Sequence, residues 1–114
     1  MANRRLFSKN VIYSDDFEAL GKDAKNLYFY LMLEADDDGF LSNINQVLKL
    51  SSASRESLDW LIERGFILRF RSGVCVVTHW HIHNRIPREK YTKTVFLEEL
   101  AQVELMPPGI YRMR

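Results

Sequence analysis

A mainly helical α+β domain is the fold class this sequence predicts, on three observations. Residues 24–35 place Ala24, Leu27, Tyr28, Leu31 and Ala35 at helix spacing. Two shorter amphipathic stretches follow, separated by Ser51-Ser52-Ala53. Two β-rich runs then flank Ser72-Gly73 in FILRFRSGVCVVTHW, the pattern of a tight hairpin. A chain of 114 residues holds enough material for one hydrophobic core and too little for two.

The elements follow in order. Ser14-Asp15-Asp16 caps a short turn through Phe17 and Leu20, and Gly21 breaks it. The long helix begins near Asp23. Phe29, Tyr30, Met32 and Leu33 widen its apolar stripe almost all round, so it is expected at the centre of a core or at a second interface. Asp36-Asp37-Asp38-Gly39 reads as a capped turn, and Phe40-Leu41-Ser42 as a short strand. Asn43 is placed to cap a second helix with Ile44, Val47 and Leu48 on one face. Ser54 is placed to cap a third, with Leu58, Leu61 and Ile62 buried and Gly65 stopping it.

A two-residue loop in the hairpin would set Phe70 opposite Cys75 and Leu68 opposite Val77. Leu68, Phe70, Cys75 and Val77 would then face inward, with Arg69 and Arg71 outward. Residues 81–91 are polar and basic, and Pro87 argues against a helix there. A last helix is expected over residues 94–103, ended by Pro107-Pro108-Gly109. Helix, strand, helix, turn, helix and hairpin in this order predict a winged helix-turn-helix with a two-stranded wing and a C-terminal helix. Residues 1–106 are assigned to that domain, and 107–114 to a tail or the start of a linker.

Composition excludes several classes. The lone cysteine, Cys75, permits no internal disulfide and no cysteine zinc finger. No apolar run is long enough to span a membrane, and the basic N-terminus lacks the apolar stretch of a signal peptide. A soluble cytoplasmic protein is the expectation. The 16 Lys and Arg nearly balance 15 Asp and Glu, yet the charge is polarised along the chain. Residues 1–60 carry 7 basic and 10 acidic side chains, whereas 64–93 carry 7 basic side chains and Glu89 as the one acid. A cluster of that kind attracts a polyanion such as DNA.

The segments RRLFS (4–8), SDDF (14–17), LYFYL (27–31), ADDDGF (35–40), LIERGF (61–66), SGVCVVTHWHIHN (72–84) and YTKTVF (91–96) span nearly the whole chain. Through them the sequence resembles the N-terminal domain of phage replisome organisers, related to DnaD-type primosome proteins. ADDDGF and HWHIHN are the specific parts. The resemblance implies a DNA-binding winged helix of a phage or prophage replication initiator, binding origin DNA and helping to recruit a helicase or helicase loader. It also implies a longer protein with a linker and a C-terminal region. A transcriptional regulator of the same fold, or an oligomerisation module that does not bind DNA, remains an alternative.

Candidate DNA contacts come from the pattern itself. Arg69 and Arg71 stand two apart near the hairpin tip, where guanidiniums reach phosphates or a minor groove. Arg85, Arg88, Lys90 and Lys93, interleaved with Tyr91, suit backbone tracking. Arg55 and Ser57 occupy the start of the third helix, the end that leads into a groove, although Glu56, Asp59 and Glu63 on the same helix repel phosphate. Asn43, Asn45, Gln46 and Lys49 on the second helix offer further phosphate contacts. His79, His81 and His83 alternate. On a continuing strand they would share one face, but they lack companion ligands, so packed or hydrogen-bonded imidazoles are expected and no metal or other cofactor. No catalytic constellation is present, and no enzyme activity is expected. The broad apolar stripe of the long helix predicts self-association.

Overall fold

The computed structural model describes residues 2–114. Helices α1 (Lys9–Ile12) and α2 (Asp15–Glu18) are single turns. Ser8 and Ser14 cap them, their hydroxyls accepting the N–H of Asn10 and Phe17. Helix α3 (Lys22–Glu34) buries Ala24, Leu27, Tyr28, Leu31 and Met32. Against it pack α4 (Ile44–Ser51) and α5 (Arg55–Glu63) through Ile44, Val47, Leu58 and Leu61. Helix α5 ends where Gly65 N–H donates to the Ile62 carbonyl and Phe66 N–H to that of Leu61, the bond pair of a Schellman cap. Asn43 and Ser54 hold the expected N-cap positions, but neither side chain makes a capping bond. Asn43 donates instead to Glu34 and Gln46.

Strands β1 (Phe40–Leu41), β2 (Ile67–Arg69) and β3 (Cys75–Val77) form an antiparallel sheet in the order β1-β3-β2. The middle strand, β3, is buried at all three positions. Its pairing with β2 differs by one residue from the two-residue-loop register. Leu68 pairs with Val76 and Arg69 with Cys75, while Phe70 N–H bonds to the Val74 carbonyl. The loop is therefore Arg71-Ser72-Gly73. A two-residue type I′ turn needs positive φ at both central residues. Gly73 supplies it at +93°, and Ser72 does not. Leu68 and Phe70 consequently share a face with Val74 and Val76, and Arg69 with Cys75 and Val77. Arg71 leaves the strand for the turn.

Three further expectations change after β3. Residues Trp80–His83 form a helical turn, α6, in place of a continuing strand, so the alternate histidines do not line one face. The expected helix over 94–103 contracts to α7 (Leu97–Leu100). Thr94 lies outside it, tied to the aspartate turn by its N–H on Asp38 and its hydroxyl on Asp36. Residues 107–114 are no tail. Strands β4 (Val103–Met106) and β5 (Ile110–Met113) pair as a second hairpin that Pro107-Pro108-Gly109 turns, with Val103 and Tyr111 buried.

The aromatic flank of α3 is covered from within the chain. Residues 2–7, outside any helix or strand, bring the Phe7 ring to a centroid distance of 5.0 Å from Phe29, edge to face, and Phe17 packs on Tyr28 and Phe29. The stripe that predicted a second copy thus meets the N-terminal arm, although Leu33 stays 60% exposed. No helix among the described residues is long and apolar enough to cross a membrane.

Candidate nucleic-acid interface

Four elements bring part of the expected contact set together. Arg55 opens α5, Asn45 lies in the first turn of α4, Arg69 ends β2, and Ser72-Gly73 form the hairpin tip. All of them line one shallow cavity of about 190 Å³, with Ser42 beside them. Arg55 Nη2 donates to Asn45 Oδ1 at 3.3 Å, which ties the starts of the two helices together. Both guanidiniums also reach the field of Cys75 beneath the tip. Burial pushes that thiol up to about 11, while Arg69 and Arg55 pull it the other way. Neither arginine has a carboxylate partner within 4.0 Å among the described residues. Ser72 spends its hydroxyl on Glu99, which accepts it at 2.6 Å and docks the tip on α7. Sequence reasoning missed Ser42 and Ser72. For Ser72 the readable signal was its place in the turn.

Other candidates fall elsewhere. Ser57 is only 7% exposed and lines a different cavity, with Trp60, Arg64, Lys22 and Gly21. From there it does not join Arg55 in the tip cavity; two residues along a helix turn the side chain by about 200°. Arg71 is exposed in the hairpin loop. Arg85 lines a third cavity, beside Asp38 and Tyr91. Arg88 and Lys90 belong to a one-turn 3₁₀ segment leading into Tyr91, and with Lys93 they are exposed. The basic run over 64–93 is thus divided between the hairpin tip and the segment anchored at Asp38.

That anchor is the ADDDGF turn. Asp36 Oδ1 accepts the N–H groups of Asp38 and Phe40, and its other oxygen accepts the Thr94 hydroxyl. Burial raises its pKa against these bonds. Asp37, with its side chain fully buried, pairs with Arg5 at 3.5 Å and accepts the Thr92 N–H. Arg5 in turn donates to the Ala35 carbonyl and lies over the Trp80 ring. Asp38 accepts the Tyr91 hydroxyl and the Thr94 N–H. Each carboxylate therefore holds a segment distant in sequence. Gly39 is required beside them, since a Cβ there would come within 2.7 Å of the Trp80 ring.

Two of the three imidazoles, His83 and His81, are engaged in hydrogen bonds, each in its own direction, while the buried Nδ1 of His79 has no partner among the described residues. Ser8 N–H donates to His83 Nδ1 at 2.8 Å, so the neutral ring keeps its proton on Nε2 and donates to the Tyr28 hydroxyl at 2.7 Å. Tyr111 gives its one hydroxyl proton to the Asp38 carbonyl, so His81 Nε2 donates to the Tyr111 oxygen. Burial lowers the pKa of all three histidines, that of His83 to about 4. No protein-family model, curated protein or solved structure matches the chain.

Proposed function

We propose that this domain binds double-stranded DNA as a winged helix, with no chemistry of its own. One observation carries the reading: Arg55 at the start of α5, Asn45 at the start of α4 and Arg69 under the hairpin tip share one cavity. In the order α3, β1, α4, α5, β2, β3, helix α5 would be the recognition helix and the β2–β3 hairpin the wing. Two guanidiniums from those two elements, neither with a carboxylate partner among the described residues, suit adjacent phosphates. The ADDDGF and HWHIHN resemblance supports a further step. It makes the domain part of a phage or prophage replication initiator that holds origin DNA while a helicase or its loader is recruited. A transcriptional regulator would use the same contacts.

The exposed face of α5 favours a second reading, a protein–protein module. Glu56, Asp59 and Glu63 are exposed there, and Trp60 is 42% exposed with Arg64 lying 5.0 Å over its ring. Phosphates avoid such a face, and a partner protein or a second copy of the chain suits it. Fluorescence anisotropy with a labelled duplex at two salt concentrations, alongside light scattering, separates the two. The DNA reading expects log affinity to fall with log salt by roughly 0.9 per phosphate contact. No duplex binding at low salt, with an oligomer in the scattering, would leave the protein module standing.

A further inference from the structure

Beside the aspartate turn lies a larger hollow of about 640 Å³, within the usual span of ligand sites. Ile86, Tyr91, Leu105, Met106 and Pro107 give it mostly apolar walls, and Arg85 lines it too. Tyr91 is 41% exposed, yet its hydroxyl donates to both Asp38 oxygens at 2.7 Å. That bond makes the ring a fixed platform. Arg85, Arg88, Lys90 and Lys93 surround this segment, all exposed and none ion-paired among the described residues. Asn84 also lines the hollow, and its buried Nδ2 has no acceptor among the described residues. The two acids of the floor are committed, Asp37 to Arg5 and Asp38 to Tyr91 and Thr94.

A duplex backbone uses cations and has no need of an apolar hollow with an aromatic wall, because its bases are already stacked. Unpaired bases do, since every base has a face to stack and a phosphate on either side. We infer that this hollow takes single-stranded nucleic acid, one base stacking on Tyr91 while neighbouring phosphates rest on Arg85, Arg88 and Lys90. The site shares no residue with the Arg55–Arg69 cavity and does not depend on the duplex reading.

Three labelled strands of about a dozen nucleotides test it by anisotropy: oligothymidylate, oligouridylate and an abasic strand with the same phosphates. The intact protein should bind the thymidylate or uridylate strand roughly tenfold tighter than the abasic one, as stacking of one base requires. Tyr91→Ala should erase that preference, and Tyr91→Phe, which keeps the ring, should retain it. Arg85→Ala should flatten the salt slope by roughly 0.7. Arg55→Ala with Arg69→Ala should change duplex binding and leave the base preference intact. Should Tyr91→Ala not fold, Met106→Glu places a charge in the hollow and should abolish the preference. Equal affinity for abasic and base-bearing strands, no strand binding at low salt, or an unchanged preference in a folded Tyr91→Ala or Met106→Glu variant would overturn the proposal.

Discussion

Three consecutive aspartates and two arginines two positions apart concentrate opposite charge at two turns of this chain, and the fold treats them differently. At Asp36-Asp37-Asp38 each carboxylate accepts bonds from other parts of the chain, and the Asp37 side chain is wholly buried. At the hairpin, Arg69 and Arg71 stay exposed with no carboxylate within reach among the described residues. Buried charge that is held by other parts of the chain works for the structure. Exposed charge left unbonded is available to a partner, because little desolvation opposes the new contact. The two regions should therefore fail in different ways when altered.

The largest expected effect is on stability at the aspartates. Asp37→Ala leaves the Arg5 guanidinium, 3% exposed, beside an apolar side chain. Removing one partner of a buried pair costs about 3–5 kcal/mol. Arg69→Ala should stay within about 0.5 kcal/mol, as exposed positions do. Urea unfolding of both variants measures the contrast, and similar losses in the two would erase it.

Binding should show the reverse order. Arg55→Ala with Arg69→Ala should flatten the salt dependence of duplex affinity by about two units while leaving the unfolding midpoint in place. Arg71→Ala, in the turn and outside the shared cavity, should flatten it by one unit at most. Titrations at several salt concentrations decide. A full two-unit change from Arg71→Ala alone would move the contact surface out to the loop.

The three long helices were legible because Leu27, Leu31, Val47, Leu58 and Leu61 repeat at a spacing that only one helical face explains. The hairpin was legible as a hairpin, but its register was not. Two-residue and three-residue loops differ by one residue, and that residue decides which neighbours share a face. Ser72 before Gly73 held the clue, since a type I′ turn asks both positions for positive φ. The aspartates could be read as a turn and no further, because Tyr91, Thr94 and Arg5 reach them from 30 to 60 residues away in the chain, roughly the scale of whole supersecondary units. The C-terminal hairpin escaped because four-residue strands carry too short an alternation to stand out from a helix, and Pro-Pro-Gly reads equally as an end or a bend. Of the candidate site, Arg55 and Arg69 could be named from sequence. That they meet, and that Ser57 does not join them, depended on packing.

A smaller effect separates the regions by pH. Burial lowers the pKa of His83 from 6.5 to about 4, and of His79 and His81 in the same direction. The unfolded chain then binds more protons than the folded one between those limits. Stability is full above about 6.5 and falls as pH drops toward 4. His83 accepts the Ser8 N–H, so its protonation should release the arm over α3 first. Unfolding midpoints across this interval should fall steeply in the parent and less in His83→Gln. Equal slopes would show that another group governs the loss.

The smallest expected effect separates geometry from charge at the tip itself. Gly73 has φ +93° and open space where a Cβ would stand, so Gly73→Ala meets strain without a clash. A left-handed residue with a Cβ costs roughly 1–2 kcal/mol, and a lateral adjustment of the loop relieves part of it. The variant should lose about 1 kcal/mol of stability and keep every charge. If the duplex is held by Arg69 and the tip in one fixed arrangement, affinity should drop modestly while the salt slope stays that of the parent. Slope counts phosphates, whereas affinity also reports how well the tip presents them. Unchanged affinity would mean that the cations act as loose charge and the hairpin geometry contributes nothing. A changed slope would mean that the turn sets which phosphates are reached at all, and the cavity shared by Arg55 and Arg69 would then be the wrong unit of recognition.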